Sequence, residues 1–300
     1  MSTPARAQSS RLAYASDKEP PPDSWFEVFW AREDGSFELQ LSDQDLDDGE
    51  PTICPNGRKI VYQGYPSPAP YTFDLYRVDN DGSNVTNLTQ TSAFSEREAD
   101  CGSPLGGSYR IVFAGQPDDD GDPFTGNYHI YRMSITGTGL MQLTDGDYDD
   151  REPVWCGPGM IIFSSNRDGN YELYSMDANG DNETRLTTHS AADRHPACNL
   201  DATKIAWAHD TGIQAGFEIY TMDVDGDPGS WLPLITGSNT DEIEPTWSPS
   251  GTMIAFTIKA VGAGKDGIYK INVDDPGVVF PYKVSGIYHY RSPDWGAGVQ

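Results

Sequence analysis

The sequence predicts an all-β fold, a six-bladed β-propeller with four antiparallel strands per blade, its ring closed by pairing a C-terminal inner strand with N-terminal strands. Three observations predict it. A ten-residue stretch of alternating apolar and polar residues running into a turn recurs as "FEVFWAREDG" from Phe26, "FDLYRVDNDG" from Phe73, "YHIYRMSITG" from Tyr128, "YELYSMDANG" from Tyr171, "FEIYTMDVDG" from Phe217 and, more weakly, "DGIYKINVDD" from Asp266. The starts lie 43 to 55 residues apart, the spacing of a repeat architecture, and period-2 alternation marks each copy as a strand. Composition agrees: 31 Gly and 22 Pro supply turns, and 37% hydrophobic residues supply a core for many short strands. The chain ends are complementary, since "RLAYAS" at 11–16 is a second-strand type with no opening strand before it and "SPDW" at 292–295 is an opening strand with no partner after it. Together they complete one blade, which removes free sheet edges at the closure.

Each unit is built in the same order. An opening strand carries Pro-x-Trp or Pro-x-x-Cys, followed by a turn and a second strand of the Ile-x-Phe type: "EPTICPNGRKIVY" from Glu50, "EPVWCGPGMIIF" from Glu152, "HPACNLDATKIAW" from His195 and "EPTWSPSGTMIAF" from Glu244. The recurring decapeptide is the third strand, ending at Asn-Gly or Asp-Gly, the preferred residues of tight hairpin turns. A fourth strand closes on Leu88-Thr89, Leu143-Thr144, Leu186-Thr187 and, more loosely, Leu234-Ile235. The expected blades are 292–300 with 11–43, then 47–90, 96–144, 149–188, 192–236 and 241–285, leaving 1–10 as a polar N-terminal arm.

Two segments carry a family resemblance. "EPTWSPSGTMIAF" at 244–256 and "SSNRDGNYELYSMDANG" at 164–180 follow the pattern P-x-W-S-P-D-G-x-x-I-x-F, S-x-R-D-G, I-Y-x-M-x-x-D-G. The chain thus resembles the TolB-like β-propeller family over nearly its whole length. That resemblance implies the fold and a protein or peptide partner at one channel face. Neither the α/β domain that precedes the propeller in TolB nor the hydrolase domain that follows it in prolyl oligopeptidases is expected here.

The formal charge is −26, from 46 acidic and 20 basic residues spread through every repeat. Such a surface repels nucleic acid phosphates and anionic lipid and favours cations or basic partners, so nucleic acid binding is not expected. No apolar run reaches the roughly 18 residues of a membrane span.

The four cysteines fall at alternating offsets. Cys54 and Cys156 stand three residues after the Pro position of their opening strands, whereas Cys101 and Cys198 stand two after. Successive strand residues point to opposite faces, so the two offsets face each other across adjacent blades. The expected disulfides are Cys54–Cys101 and Cys156–Cys198, which place the chain in an oxidising, extracytoplasmic setting: secreted, cell-surface or periplasmic. Four buried thiols are the alternative; zinc is disfavoured by the absence of C-x-x-C.

Two candidate cation sites emerge. The residues before each opening-strand Pro position are Glu50, Glu98, Glu152, His195, Glu244 and Ser292, and equivalent positions lie on one ring around the axis. Four carboxylates and a histidine there suit calcium, with hydrogen bonding to neighbouring backbone as the alternative. Asp118, Asp120 and Asp122 form a second acidic loop in the longest blade, without the bidentate Glu of a calcium loop. The tips "MDANGDNE" and "MDVDGDPG" read as hairpin turns, and Trp155, Trp247 and Trp295 as blade-packing residues. The five histidines are scattered and no G-x-S-x-G is present, so no catalytic residue is assigned.

The expected function is therefore non-catalytic: an exported, calcium-stabilised scaffold that self-associates as a homo-oligomer or filament through its N-terminal arm. The alternatives are a periplasmic or cell-surface protein-binding module of TolB type and a metal-dependent hydrolase or lyase.

Overall fold

The computed structural model describes residues 10–17, 25–42, 47–65, 72–91, 94–102, 108–117, 126–212, 216–236, 240–260, 264–285 and 288–296. They form six sheets of four strands each. The closing blade joins the C-terminal strand Tyr290–Gly296 to Arg11–Ser16, Glu27–Arg32 and Glu38–Gln40, with Leu12 opposite Trp295. The inner strands of the six blades are Tyr290–Gly296, Gly49–Ile53, Phe94–Gly102, Asp150–Cys156, Asp193–Cys198 and Asp241–Trp247. Each contacts the inner strands on both sides, so the ring is complete. All pairing within blades is antiparallel, as hairpin connections require.

The second strand of each blade is buried on both faces because a neighbouring blade covers each one. Ile111, Val112, Phe113 and Ala114 are all fully buried in this way. The core lies mainly between blades: Cys54, Val61 and Leu75 of one blade pack with Cys101, Ile111, Phe113 and Met133 of the next. Within a blade, second- and third-strand aromatics stack, as Tyr62 does on Tyr76 at 5.5 Å and Phe163 on Tyr174 at 5.8 Å.

The Leu-Thr signature has a hydrogen-bonding cause. The fourth strand is only two residues long in several blades and leaves a third-strand N–H uncovered. The threonine hydroxyl accepts that N–H: Leu75 to Thr89 at 3.0 Å, Ile130 to Thr144 at 2.9 Å and Leu173 to Thr187 at 2.9 Å. In the closing blade Ser42 does the same for Val28 at 2.9 Å. The tip at Asn179-Gly180 is a hairpin turn, with Gly180 at φ 90° and its N–H bonded to Asp177. The second acidic tip ends in a short helix, Pro228–Ser230, capped by Asp227.

Among the described residues no helix is long and apolar enough to cross a membrane.

Candidate functional site: the channel and its ring of latches

The six residues before the Pro position share an unusual backbone. Glu50, Glu98, Glu152, His195, Glu244 and Ser292 all have φ between 46° and 55°, the left-handed region that non-glycine residues avoid. At each of them the pairing with the second strand shifts register, so every inner strand carries a bulge at the same place. A bulge breaks the in-and-out alternation and re-aims a side chain.

Here it aims the side chain along the ring, at the next blade. The Glu50 carboxylate accepts the backbone N–H of Glu98 at 3.1 Å, Glu98 that of Glu152 at 2.9 Å, Glu152 that of His195 at 2.8 Å and Glu244 that of Ser292 at 2.8 Å. Arg151 adds an ion pair to Glu98, and Arg194 one to Glu152. These bonds join successive blades edge to edge, and those to Glu98 and Glu152 are reinforced by the arginine charges.

Four of the ring positions expected to hold calcium make the hydrogen bonds to neighbouring backbone that were the alternative for them. Glu50, Glu98, Glu152, His195 and Glu244 do lie on one ring, but the bulge commits the carboxylates of Glu50, Glu98, Glu152 and Glu244 to a neighbouring N–H. Among the described residues no three His, Cys, Asp or Glu side chains come together so as to hold a metal ion. Asp118, Asp120 and Asp122 lie outside the described residues, as do residues 1–9 of the arm.

The latches differ in charge state. Burial works against the Glu152 carboxylate, but His195, Arg194, the His195 N–H and the Ser164 hydroxyl outweigh it and hold the group down at about 2. Glu50 lacks such a clamp: burial, then the charges of Glu98 and Glu244, push it up to about 8.

Inside the ring runs a cavity of about 530 Å³, lined by all six inner strands. Its wall is mainly apolar, with prolines 51, 153, 196, 245 and 293 and the tryptophans 155, 247 and 295. The tryptophans are 5–8% exposed and also pack blade on blade, as expected: Gly102 leaves room for Trp155, since a Cβ there would stand 2.3 Å from the indole. Besides the ring residues Glu50, Glu98, Glu152 and Glu244, two aspartates interrupt the wall. Asp100 accepts from Thr52 Oγ1 at 3.0 Å and the Trp155 N–H at 2.7 Å, and Asp294 from Thr246 Oγ1 at 3.2 Å and the Ile53 N–H at 2.6 Å. Burial raises both, with Asp100 adding to the rise at Asp294, which reaches about 7.

Both expected disulfides are present: Cys54–Cys101 and Cys156–Cys198 each staple two successive blades beside the cavity, and among the described residues no cysteine is free. They suit an oxidising compartment.

Sequence reasoning missed the arginines. Arg97, Arg151, Arg194 and Arg291 each stand one residue before a ring position, and each lies on the aromatic residue that opens a decapeptide: Phe73 at 4.0 Å, Tyr128 at 4.3 Å, Tyr171 at 4.5 Å and Phe26 at 3.5 Å. The signal was a shared offset from the Pro position. The histidines also resolve: His209 is buried with Nδ1 2.6 Å from Asp193 and its ring 4.9 Å from that of His189.

Comparison with known proteins agrees with this architecture. TolB from Acinetobacter baumannii superposes with a TM-score of 0.77 at 20% identity, over 97% of this chain and 67% of that one. The putative TolB from Agrobacterium tumefaciens gives 0.65 at 17% identity, over 97% and 99%. Kuenenia stuttgartiensis hydrazine synthase gives 0.75 at 14% identity, over 95% and 46%, so the likeness is one of fold. No curated protein matches the sequence. The model of the TolB beta propeller domain matches residues 123–297, and with six bulged blades, four of them stapled in pairs by disulfides, around a Pro- and Trp-lined channel, the chain belongs to the TolB β-propeller family.

Proposed function

We propose that the protein is an extracytoplasmic protein-binding module that receives an extended segment of a partner in the channel. The observation that carries this reading is the axial cavity of about 530 Å³, within the usual range for ligand pockets, with apolar walls and the two carboxyl groups of Asp100 and Asp294. Prolines and tryptophans there offer rigid apolar contact, and the two acids accept N–H groups or a basic side chain from the partner. The resemblance to TolB implies a partner at such a face. The last arm residue supports this reading over self-assembly: Ser10 accepts the Glu33 N–H on its carbonyl at 3.1 Å and donates its hydroxyl to the Glu33 carboxylate, within its own propeller.

A random peptide library displayed against the intact protein tests the proposal. Enriched peptides should carry an apolar residue beside a basic one and should lose at least about tenfold in affinity to Val154→Trp, which narrows the cavity. Failure to enrich any sequence, or equal binding to the variant, would overturn it.

A further inference from the structure

The latch pattern fails at two seams, His195 to Glu244 and Ser292 to Glu50, and at the second of them a further cavity opens. Between the closing blade and its successor, the ring position is Ser292 where a glutamate would reach forward, and the position before the next ring residue is Gly49 where an arginine would stand. Both halves of the repeated ion pair are missing. A polar cavity of about 190 Å³ occupies the gap, lined by Asp47, Asp48, Gly49, Glu50, Gln63, Phe73, Arg97, Glu244, Arg291 and Ser292.

Its two guanidinium groups are uncommitted. Among the described residues the Arg291 side chain makes no hydrogen bond or ion pair and rests on the Phe26 ring at 3.5 Å. Arg97 lies on Phe73 at 4.0 Å, with one long contact from Nε to Ser95 Oγ at 3.5 Å. Arg151 and Arg194, from the same repeat position, each clamp a glutamate instead. Asp48 is 1% exposed, and among the described residues neither of its carboxyl oxygens has a partner within hydrogen-bond distance, the Ser42 hydroxyl acting on it from beyond that range.

We propose that this seam binds a small monocarboxylic acid, its carboxylate held by Arg97 and Arg291 and its carbon chain against Phe73. Forked guanidinium donors match a carboxylate, and the aromatic rings beneath hold them in place. Burial pushes Asp48 up to about 8 and Glu50 likewise, so both enter at neutral pH as O–H donors to the bound anion. The remaining carboxylates, Glu244 and Asp47, balance the two arginines, which favours a single negative charge over a phosphate dianion. The volume is below that of a pocket for a drug-sized ligand and suits a compact acid.

Calorimetric titration of the full chain with propionate, propionamide and inorganic phosphate tests this. Propionate should bind saturably, with the amide and phosphate at least about tenfold weaker. Arg97→Met and Arg291→Met should each weaken propionate by about tenfold or more. The double variant Gly49→Arg/Ser292→Glu restores the repeated ion pair and should abolish binding while the melting temperature holds or rises; a Cβ at Gly49 meets nothing within 4 Å. Absence of saturable propionate binding, equal binding of phosphate, or binding that survives the filled seam each overturns the proposal. The filled variant decides the matter should an arginine variant fail to fold.

Discussion

Replacing Glu152 by glutamine removes the charge from the most heavily engaged latch while keeping its shape. The carboxylate is 7% exposed and serves the His195 N–H at 2.8 Å, the Ser164 hydroxyl at 2.7 Å and the Arg194 guanidinium. From an ordinary 4.5 it is held at about 2 in the fold, which at ~1.4 kcal/mol for each pKa unit corresponds to ~3 kcal/mol. An independent route gives a similar figure: breaking a buried pair costs ~3–5 kcal/mol, reduced here because the Arg194 side chain is 25% exposed. An acid whose folded pKa is depressed contributes stability that is present above its unfolded value and lost as pH falls toward the folded one. Glu152→Gln should therefore cost ~2–3 kcal/mol at pH 7 and below ~1 kcal/mol near pH 2. Urea unfolding followed by tryptophan fluorescence measures both. A loss under ~0.5 kcal/mol at pH 7, or one of the same size at both pH values, would refute the argument that charge holds these blades together.

Glu50 should behave in the opposite sense. Its fold-state pKa of about 8 means the folded protein keeps a proton that the unfolded chain releases above 4.5, so stability falls as pH rises through that window. Glu50→Gln should raise the unfolding free energy at pH 9 by on the order of 2–4 kcal/mol in urea unfolding and change it little at pH 4; no gain at pH 9 contradicts this. Removing either disulfide pair, as Cys54→Ala/Cys101→Ala or Cys156→Ala/Cys198→Ala, should cost ~2–4 kcal/mol in denaturant unfolding. The two pairs staple different blade interfaces, so their losses should add to within about 0.5 kcal/mol, and strong non-additivity would show that the interfaces are coupled. Trp207→Ala should cost ~3–5 kcal/mol, because the indole is fully buried and its Nε1 donates to Asp193 at 2.8 Å. Leu232→Ala, at a residue 44% exposed, is the control and should change stability by less than ~0.5 kcal/mol.

Much of this protein is legible before it folds, because a repeat multiplies weak local signals. One stretch such as "YELYSMDANG" is an ambiguous strand, but six copies in register fix the blade count, the hairpins and the closure of Tyr290–Gly296 onto Arg11–Ser16. The cysteine pairs were readable for the same reason, since side-chain direction in a strand follows parity of position and parity is countable. The ring of Glu50, Glu98, Glu152, His195 and Glu244 was likewise placed by counting. Which neighbouring group each of its side chains meets was not. Counting assumes regular alternation, and the register shift that turns each of these side chains toward its neighbour is a backbone event with φ near 50° that the glutamates do not announce. The arginines show the other limit. Arg97, Arg151, Arg194 and Arg291 occupy one repeat position, yet two clamp a glutamate and two remain on an aromatic face beside an open seam. Which positions are equivalent can be counted along the chain; what each one touches is set in the folded ring, because partners come from the next blade, about fifty residues away, and depend on whether that blade supplies its half of the pair.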